Sequence, residues 1–165
     1  MLLTINTDAS FNPTHKIGGF AFWAVCNDFK ITKFGVFKEL CVDANESEMK
    51  CILNALHCVF LERKVLTKII INTDSLNSIH VFTNNFKMIN RWGLSRHKRL
   101  RKMFNRSFTE KGIDIEFRHV KAHTGKDDAR SYVNDWCDKN AKQVVHNRVF
   151  NLNKTNSELI LKSIA

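Results

Sequence analysis

Two aspartates of this sequence stand where a catalytic site could be built. Asp8 and Asp74 each follow a threonine at the end of an apolar, β-branched run. Aspartate is a poor strand former, so its presence at the end of two predicted strands invites an explanation. Open α/β sheets build their sites at strand ends. The structural alternative is that each aspartate only caps the element that follows, as Asp74 and Ser75 could do for a helix.

Two further carboxylates lie beside the apolar stripes of predicted helices. Glu48 shares a helix edge with Ile52 and Ala55, which places it beside buried surface or a cleft. An ordinary exposed glutamate, favoured in the first turn by the helix dipole, is the alternative. Asp138 borders the stripe of the last long helix, and Asp135, one turn earlier, is its competitor.

Four carboxylates that converge would repel one another, and each would be costly to bury without a counter-charge. Hard oxygen ligands of this kind select Mg²⁺ or Mn²⁺. Two such ions, about 4 Å apart, activate water and stabilise the leaving oxygen in phosphodiester hydrolysis. The acidic set therefore indicates metal-dependent cleavage of a nucleic acid.

The positive charge is concentrated in one segment. The formal net charge is +10, and residues 86–111 hold nine Lys or Arg against the single acidic residue Glu110. Such a patch is typical of a protein that binds a polyanion. Within it, Leu100, Met103, Phe104 and Phe108 follow helical spacing, which predicts a helix docked by an apolar stripe with its basic face outside. A solvated basic face without function is the alternative.

Length and composition indicate one folded domain. The chain has 165 residues, of which 44% are hydrophobic, enough to bury a core. No apolar run reaches the about 20 residues that cross a membrane, and no secretory signal is visible, so a cytoplasmic location is expected. The five cysteines form no C-x-x-C pair, which favours reduced core thiols over a structural zinc site.

The order of periodic segments predicts a mixed α/β sheet with helices on its faces. The predicted strands are residues 2–8, 18–26, 30–38, 66–73 and 113–120, with a tight turn at Asn27 and Asp28. The predicted helices are residues 45–62, a helix from Ser75, the basic helix, and residues 129–147.

Five short motifs, in this order, resemble the ribonuclease HI family. They are Thr-Asp-Ala-Ser at 7–10, Asn-Glu-Ser-Glu at 45–48, Thr-Asp-Ser at 73–75, Val-Lys-Ala-His-Thr-Gly at 120–125, and Asn-x-x-x-Asp at 134–138 followed by Ala141. The resemblance runs from about residue 3 to residue 145. It implies the RNase H-like fold, a five-stranded mixed sheet whose first three strands are antiparallel, flanked by helices. It also implies an endonuclease that cuts the RNA strand of RNA–DNA hybrids and leaves 5′-phosphate and 3′-hydroxyl ends.

The resemblance assigns roles to the acidic set and to one histidine. It implies that Asp8, Glu48, Asp74 and Asp138 bind two Mg²⁺ ions, for which Mn²⁺ can substitute. Asp8 and Asp138 would share one ion with the attacking water, while Glu48 and Asp74 would hold the other. His123 resembles the family's mobile histidine, which transfers a proton or assists product release.

Substrate contacts are implied by position. Asn12 and the glycines Gly18 and Gly19 resemble a hairpin loop that approaches the nucleic-acid backbone, and Asn45 with the backbone near Ala9 would read 2′-hydroxyls. The basic segment resembles the family's substrate-binding protrusion, although it is several residues shorter. The remaining substrate-binding candidates are Trp92, Arg96, Lys98, Arg99, Lys102 and Asn134.

Some features depart from the family or remain predictions about organisation. Asp43 replaces a small hydroxyl residue that helps bind a DNA phosphate, and a carboxylate there would repel phosphate. We expect an RNase H domain at residues 1–146, with the basic segment at 86–111, and a C-terminal tail at 147–165. The expected partner is an RNA–DNA hybrid, with no membrane contact and a monomeric chain.

Two other functions stay open at the level of sequence. A junction resolvase or an integrase-type core uses similar acidic residues, but the Asn45–Glu48 motif and His123 fit these enzymes poorly. A hybrid-binding module without catalysis would share the basic helix. Salt-sensitive binding is expected in every case, so salt dependence does not separate them.

Overall fold

The computed structural model describes residues 2–62, 66, 68–85, 97–120 and 129–164, and of residues 129, 130 and 156–164 the backbone alone. Its strands are β1 (Leu2–Asn12), β2 (Ile17–Cys26), β3 (Phe29–Val36), β4 (Lys68–Thr73) and β5 (Asp114–His119). Its helices are α1 (Ala44–Glu62), α2 (Leu76–Phe82), α3 (Lys98–Phe104), which runs into a π-helical turn (Asn105–Thr109), and α4 (Ala129–Ile164).

The five strands form one mixed sheet in the order β3-β2-β1-β4-β5. β1, β2 and β3 are antiparallel, while β1 with β4 and β4 with β5 are parallel. β4 is buried over almost its whole length because a central parallel strand is covered on both faces, which explains its continuous apolar run. The predicted fold class is confirmed, including the two-residue turn at Asn27 and Asp28.

The basic helix packs by an apolar row, as predicted, with one exception. Leu100, Phe104 and Phe108 are buried in the main core beside Phe82. Met103, which the sequence places on the same stripe, is 47% exposed, so that prediction is wrong. The buried row follows i, i+4 and i+8, and Met103 lies to one side of it.

The last helix is longer than predicted. Helical spacing indicates an end near residue 147, whereas α4 continues to Ile164. Beyond Val145 the described side chains are mostly exposed, and Phe150 is 62% exposed. The helix therefore continues where the apolar periodicity of the sequence is weak. The division into a domain and a tail at residue 147 stays a prediction. Within the described residues, no helix is both long and apolar enough to cross a membrane.

Gly18 and Gly19 lie in β2, as the predicted strand at residues 18–26 has them and not as the resemblance to a hairpin loop implies, because the turn occupies residues 13–16. A Cβ atom at Gly19 would lie 2.6 Å from Val145 Cγ2 and 2.9 Å from the carbonyl oxygen of Ala141. A Cβ at Gly18 would lie 2.5 Å from Cys41 Sγ. These glycines therefore let α4 and the chain before α1 approach the sheet, which sets the position of the carboxylate on each helix.

Candidate active site

Parallel pairing brings the two strand-end aspartates together. In the β1–β4 ladder Asn6 is opposite Asn72, so Asp8 and Asp74 both follow two residues later at the same edge. The hydroxyl of Ser75 accepts a hydrogen bond from the Ser78 amide at 3.2 Å and caps α2. Asp74 is thus not used as the cap, and its carboxylate is left for the site.

Glu48 reaches the aspartates from the first turns of α1. Asp43 caps that helix, because its Oδ1 accepts a hydrogen bond from the Glu46 amide at 2.8 Å. The Ala9 amide donates to Glu48 Oε1 at 3.1 Å. Glu48 Oε2 is buried and has no hydrogen-bond partner among the described residues. One oxygen is therefore fixed by β1, and the buried second oxygen is left without a hydrogen bond from the described residues.

Three carboxylates form a compact cluster. Oxygen atoms of Asp8, Glu48 and Asp74 all lie within 4.8 Å of one another. Asp138 lines the same pocket as Asp8 and Asp74, together with Asn134 and Asp135 of α4. Its two carboxylate oxygens lie 2.7 Å and 2.8 Å from Lys142 Nζ. The predicted fourth carboxylate is therefore beside the cluster and already holds a counter-charge.

The structure also bears on the choice between Asp135 and Asp138. Both line the pocket, but Asp135 is exposed and Asp138 is only partly so. The negative charge of Asp138 contributes to the raised pKa values of both Asp8 and Glu48. These observations favour Asp138, as the sequence register does.

Burial and mutual repulsion perturb the cluster strongly. Burial, then the charges of Asp74 and Asp138, raises the pKa of Asp8 to about 8. Burial, then the charges of Asp8 and Asp74, raises the pKa of Glu48 well above its usual value. Raised pKa values at grouped carboxylates mean that the metal-free site holds protons near neutral pH.

A divalent cation fits this donor set. The cluster offers carboxylate oxygens alone, the ligands that Mg²⁺ and Mn²⁺ prefer, and the buried Glu48 Oε2 lacks any other partner among the described residues. A bound cation would replace the protons and remove the repulsion. Asp8, Glu48 and Asp74 are the residues that would hold it, with Asp138 beside them.

Two buried thiols donate hydrogen bonds to the backbone near the acidic cluster but are not part of the cluster. Cys51 Sγ donates to the backbone carbonyls of Asp8 at 3.3 Å and Ala21 at 3.4 Å. Cys137 Sγ donates to the Asn6 carbonyl at 3.7 Å. Burial raises the pKa of both thiols, so they stay protonated and are poor metal ligands. None of the five cysteines forms a disulfide, and Cys41, Cys51 and Cys137 are buried as predicted for core thiols, whereas Cys26 and Cys58 are only partly buried.

Comparisons with known proteins identify the family. The RNase H family model matches residues 2–146. The chain belongs to the RNase H family. This RNase H has no significant match among curated protein sequences. The prediction of a ribonuclease H enzyme is confirmed by the family match and by the fold.

Solved structures share the fold of this RNase H at low sequence identity. RNase H1 from Halobacterium salinarum NRC-1 has a TM-score of 0.63 and 16% identity, over 89% of this chain and 99% of that one. LC11-RNase H1, solved in complex with an RNA/DNA hybrid, has a TM-score of 0.65 and 11% identity, over 89% and 99%. The prototype foamy virus protease-reverse transcriptase has a TM-score of 0.59 and 17% identity, over 87% of this chain and 20% of that one.

The predicted substrate-binding residues of this RNase H are only partly brought together. Asn45 is exposed in the first turn of α1, close to Glu48 in sequence, and Asn134 lines the acidic pocket. Asn12 Oδ1 accepts a hydrogen bond from the His15 amide at 2.8 Å, which shapes the hairpin turn. Three predicted residues lie outside the described part of the chain: Trp92, Arg96 and His123.

The basic helix presents charge, although one of its arginines is engaged. Lys98 and Lys102 are exposed on α3. Arg99 is 68% exposed and pairs with Glu39 at 3.3 Å, so it must exchange that partner to reach a phosphate. Exposed ion pairs of this type are weak, and the predicted role of Arg99 stays a prediction.

Asp43 has a structural use that the sequence did not reveal. Besides capping α1, its Oδ2 lies 3.9 Å from His97 Nε2, and His97 is only 3% exposed. The carboxylate thus joins the start of α1 to the start of α3. Its predicted repulsion of a phosphate stays a prediction.

Lys142 is a site residue that the sequence interpretation missed, although its i+4 spacing from Asp138 could have revealed the pair.

We expect the Lys142→Met variant to bind Mg²⁺ about two- to fivefold more tightly at pH 9, because an exposed ion pair that competes for Asp138 is removed. Isothermal titration calorimetry would measure this. Lys139→Met removes an exposed charge from the same helix and should leave the affinity unchanged. Equal or weaker Mg²⁺ binding by Lys142→Met would contradict the competition.

Proposed function

We propose that this RNase H is a metal-dependent endonuclease that hydrolyses the RNA strand of RNA–DNA hybrids and leaves 5′-phosphate and 3′-hydroxyl ends. The observation that carries the proposal is the buried, unpartnered Glu48 Oε2 within a cluster of three carboxylates. The solved complex of LC11-RNase H1 with an RNA/DNA hybrid supports the choice of substrate.

Two Mg²⁺ ions are the proposed cofactors, and Mn²⁺ is the proposed substitute. Asp8 and Asp138 would hold one ion, and Glu48 and Asp74 the other. When bound, the ions supply an activated water and neutralise charge on the leaving oxygen. The Ala9 amide keeps Glu48 oriented through its 3.1 Å hydrogen bond, so the ligand set is arranged before the substrate arrives.

Other residues of the chain would bind and distinguish the substrate. Lys98 and Lys102 on the exposed side of α3 would contact phosphates, which adds affinity without sequence preference. Asn45 and the backbone near Ala9 would contact 2′-hydroxyl groups, which separate RNA from DNA. His123 would donate a proton to the leaving oxygen or assist product release. The monomeric state and the cytoplasmic location stay predictions.

The test of this function is the Asp74→Asn variant in a gel assay. Wild-type protein should cut the RNA strand of a hybrid in Mg²⁺ or Mn²⁺, spare double-stranded RNA and DNA, and be inactive in EDTA. Asp74→Asn should lose at least about a hundredfold in rate, because an amide is a weaker ligand that carries no charge. Asp114→Asn, at an exposed aspartate on β5, is the matched control and should keep full activity.

The same assay separates the other candidate functions. Cleavage of a four-way junction with sparing of the hybrid would select a resolvase. Binding of the hybrid in EDTA without turnover in Mg²⁺ would select a non-catalytic module. Undiminished hybrid cleavage by Asp74→Asn would refute the proposed site.

A further inference from the structure

Four aromatic rings form a connected surface cluster on the α4 side of the sheet, which we call the aromatic platform. The Trp23 ring on β2 meets Tyr132 and Trp136 of α4 edge to face, with centroids 6.3 Å and 5.3 Å apart. Phe34 on β3 meets Trp136 edge to face at 5.9 Å. The platform therefore consists of Trp23, Phe34, Tyr132 and Trp136.

Two rings of the aromatic platform are largely exposed to solvent, unlike rings in a hydrophobic core. Phe34 is 53% exposed and Tyr132 is 65% exposed, while Trp23 and Trp136 are partly buried. β3 is an edge strand of the described sheet, so the platform reaches the border of that sheet. A contiguous patch of exposed rings on a folded domain marks a binding surface.

Positive charge accompanies the rings. Lys30 Nζ lies 3.8 Å from the centroid of the Trp23 ring, a cation–π contact. Lys139 is exposed and continues the side of α4 that carries Tyr132 and Trp136. Exposed aromatic rings with flanking cations are the features that bind single-stranded nucleic acid, since bases stack on the rings and phosphates meet the charges.

The platform lies close to the catalytic carboxylates. Asp8 is paired with Ala21, and Ala21 with Phe34, across neighbouring strands. Strands are spaced by 4.7–4.9 Å, so the Phe34 backbone is about 10 Å from that of Asp8. α4 lies between the two, with Asn134 and Asp138 towards the pocket and Tyr132 and Trp136 towards the rings. A strand that leaves the pocket past the start of α4 would meet the platform.

We propose that the aromatic platform binds unpaired bases of a single-stranded segment that continues from the hybrid in the catalytic pocket. The proposal rests on the proposed function for its hybrid and adds a second contact to it. A base stacked on Phe34 or Tyr132 would be held there by the ring face and by the phosphate contacts of Lys30 and Lys139. The enzyme would then favour junctions between hybrid and single strand over uninterrupted hybrid.

The experiment measures binding in EDTA, so that no cleavage interferes. Fluorescence anisotropy would compare a blunt hybrid with hybrids whose RNA strand, the strand proposed to occupy the pocket, carries an oligouridine extension at the 5′ or the 3′ end. Wild-type protein should bind one extended hybrid about tenfold more tightly than the blunt one, the gain expected from one or two stacked bases. Phe34→Ala and Tyr132→Ala should abolish this gain and leave the affinity for blunt hybrid unchanged.

Controls separate the platform from the fold and from the catalytic site. Phe150→Ala removes another exposed ring of α4 and should keep the full gain. Thermal unfolding of each variant shows whether the domain is intact. If wild type shows no gain with either extension, or if the platform variants weaken blunt and extended hybrids equally, the proposal is wrong. A dimer in sedimentation that Phe34→Ala dissociates would instead assign the rings to a contact between copies and overturn it. Failure of the proposed function would appear separately, as no cleavage of blunt hybrid by wild type in Mg²⁺.

Discussion

Replacing Asp8 by asparagine is expected to abolish hybrid cleavage and, at the same time, to stabilise the metal-free protein. The carboxylate is half-buried and faces Glu48 and Asp74 within 4.8 Å. Its pKa of about 8 shows how unfavourable its ionised form is when no cation is bound. An amide of the same shape removes one charge from the cluster, so the folded state loses repulsion while the proposed site loses a ligand.

The two effects have different sizes and opposite signs. Cleavage should fall at least about a thousandfold, since a ligand and its charge are lost together. At pH 8 in EDTA the free energy of unfolding should rise by at least about 3 kcal/mol, which for a chain of this length is an increase in Tm of about 6–12 °C. Differential scanning calorimetry in EDTA and the gel assay in Mg²⁺ measure the two quantities.

Comparison with Asp114→Asn, which removes an exposed charge, isolates the site. That variant should change neither Tm nor cleavage appreciably. Asp8→Asn should still bind a hybrid in EDTA at least as well as wild type, because one negative charge near the phosphates is gone. A lower Tm for Asp8→Asn in EDTA would show that Asp8 is not under electrostatic strain, and retained cleavage would exclude it as a metal ligand.

The sequence predicted the fold and singled out Asp8, Glu48 and Asp74 because strand ends and apolar helix stripes are local signals. The strand alternation and the long apolar stripe of α1 specify the elements directly. Asp8, Asp74 and Glu48 then meet because parallel β1–β4 pairing and the capped start of α1 leave one edge of the sheet for all three. The order of five motifs added the family to this physical interpretation.

The misses have physical causes in long-range packing. Met103 follows the helical stripe but lies beside the row that packs, and α4 continues past the residues that pack on the sheet. The family resemblance placed Gly18 and Gly19 in a hairpin loop, whereas the predicted strand at residues 18–26 already contained them. They are strand positions where helices and neighbouring side chains approach closely, a reason that only the tertiary structure can show.

The side chains that pair with Asp43 and Asp138 were the least predictable feature of the site. Asp43 caps α1 and approaches the buried His97, and Lys142 pairs with Asp138. Neither contact changes the periodicity of the sequence, and only the i+4 spacing of the second could have been seen in advance. The aromatic platform combines β2, β3 and α4, whose rings are separated by about a hundred residues, so composition alone could not assemble it.

The pH dependence of stability should have the opposite direction to that of most carboxylate sites. For Asp8 and Glu48 the pKa values are raised in the folded protein, so between about pH 4 and pH 8 the folded state binds more protons than the unfolded state. The contribution of these two carboxylates to stability in EDTA therefore falls as the pH rises through that range. For Asp8 the loss levels off only above about pH 8, once the carboxyl is ionised in the folded state as well.

Metal binding should reverse this loss, and the reversal is the second large effect that we expect. Raising the pH from 5 to 8 in EDTA should lower the Tm of wild type relative to the Asp8→Asn variant by about 6–12 °C, from a free-energy change of roughly 3 kcal/mol. Saturating Mg²⁺ should raise the wild-type Tm strongly at pH 8 and little at pH 5, because at pH 5 protons still occupy the ligands. Calorimetry at each pH, with Mg²⁺ or EDTA, measures both changes. Taking the Tm difference between wild type and variant cancels the contributions of groups that titrate elsewhere in the chain. A Tm difference that stays constant from pH 5 to pH 8 would show that folding is not coupled to protonation of the acidic cluster.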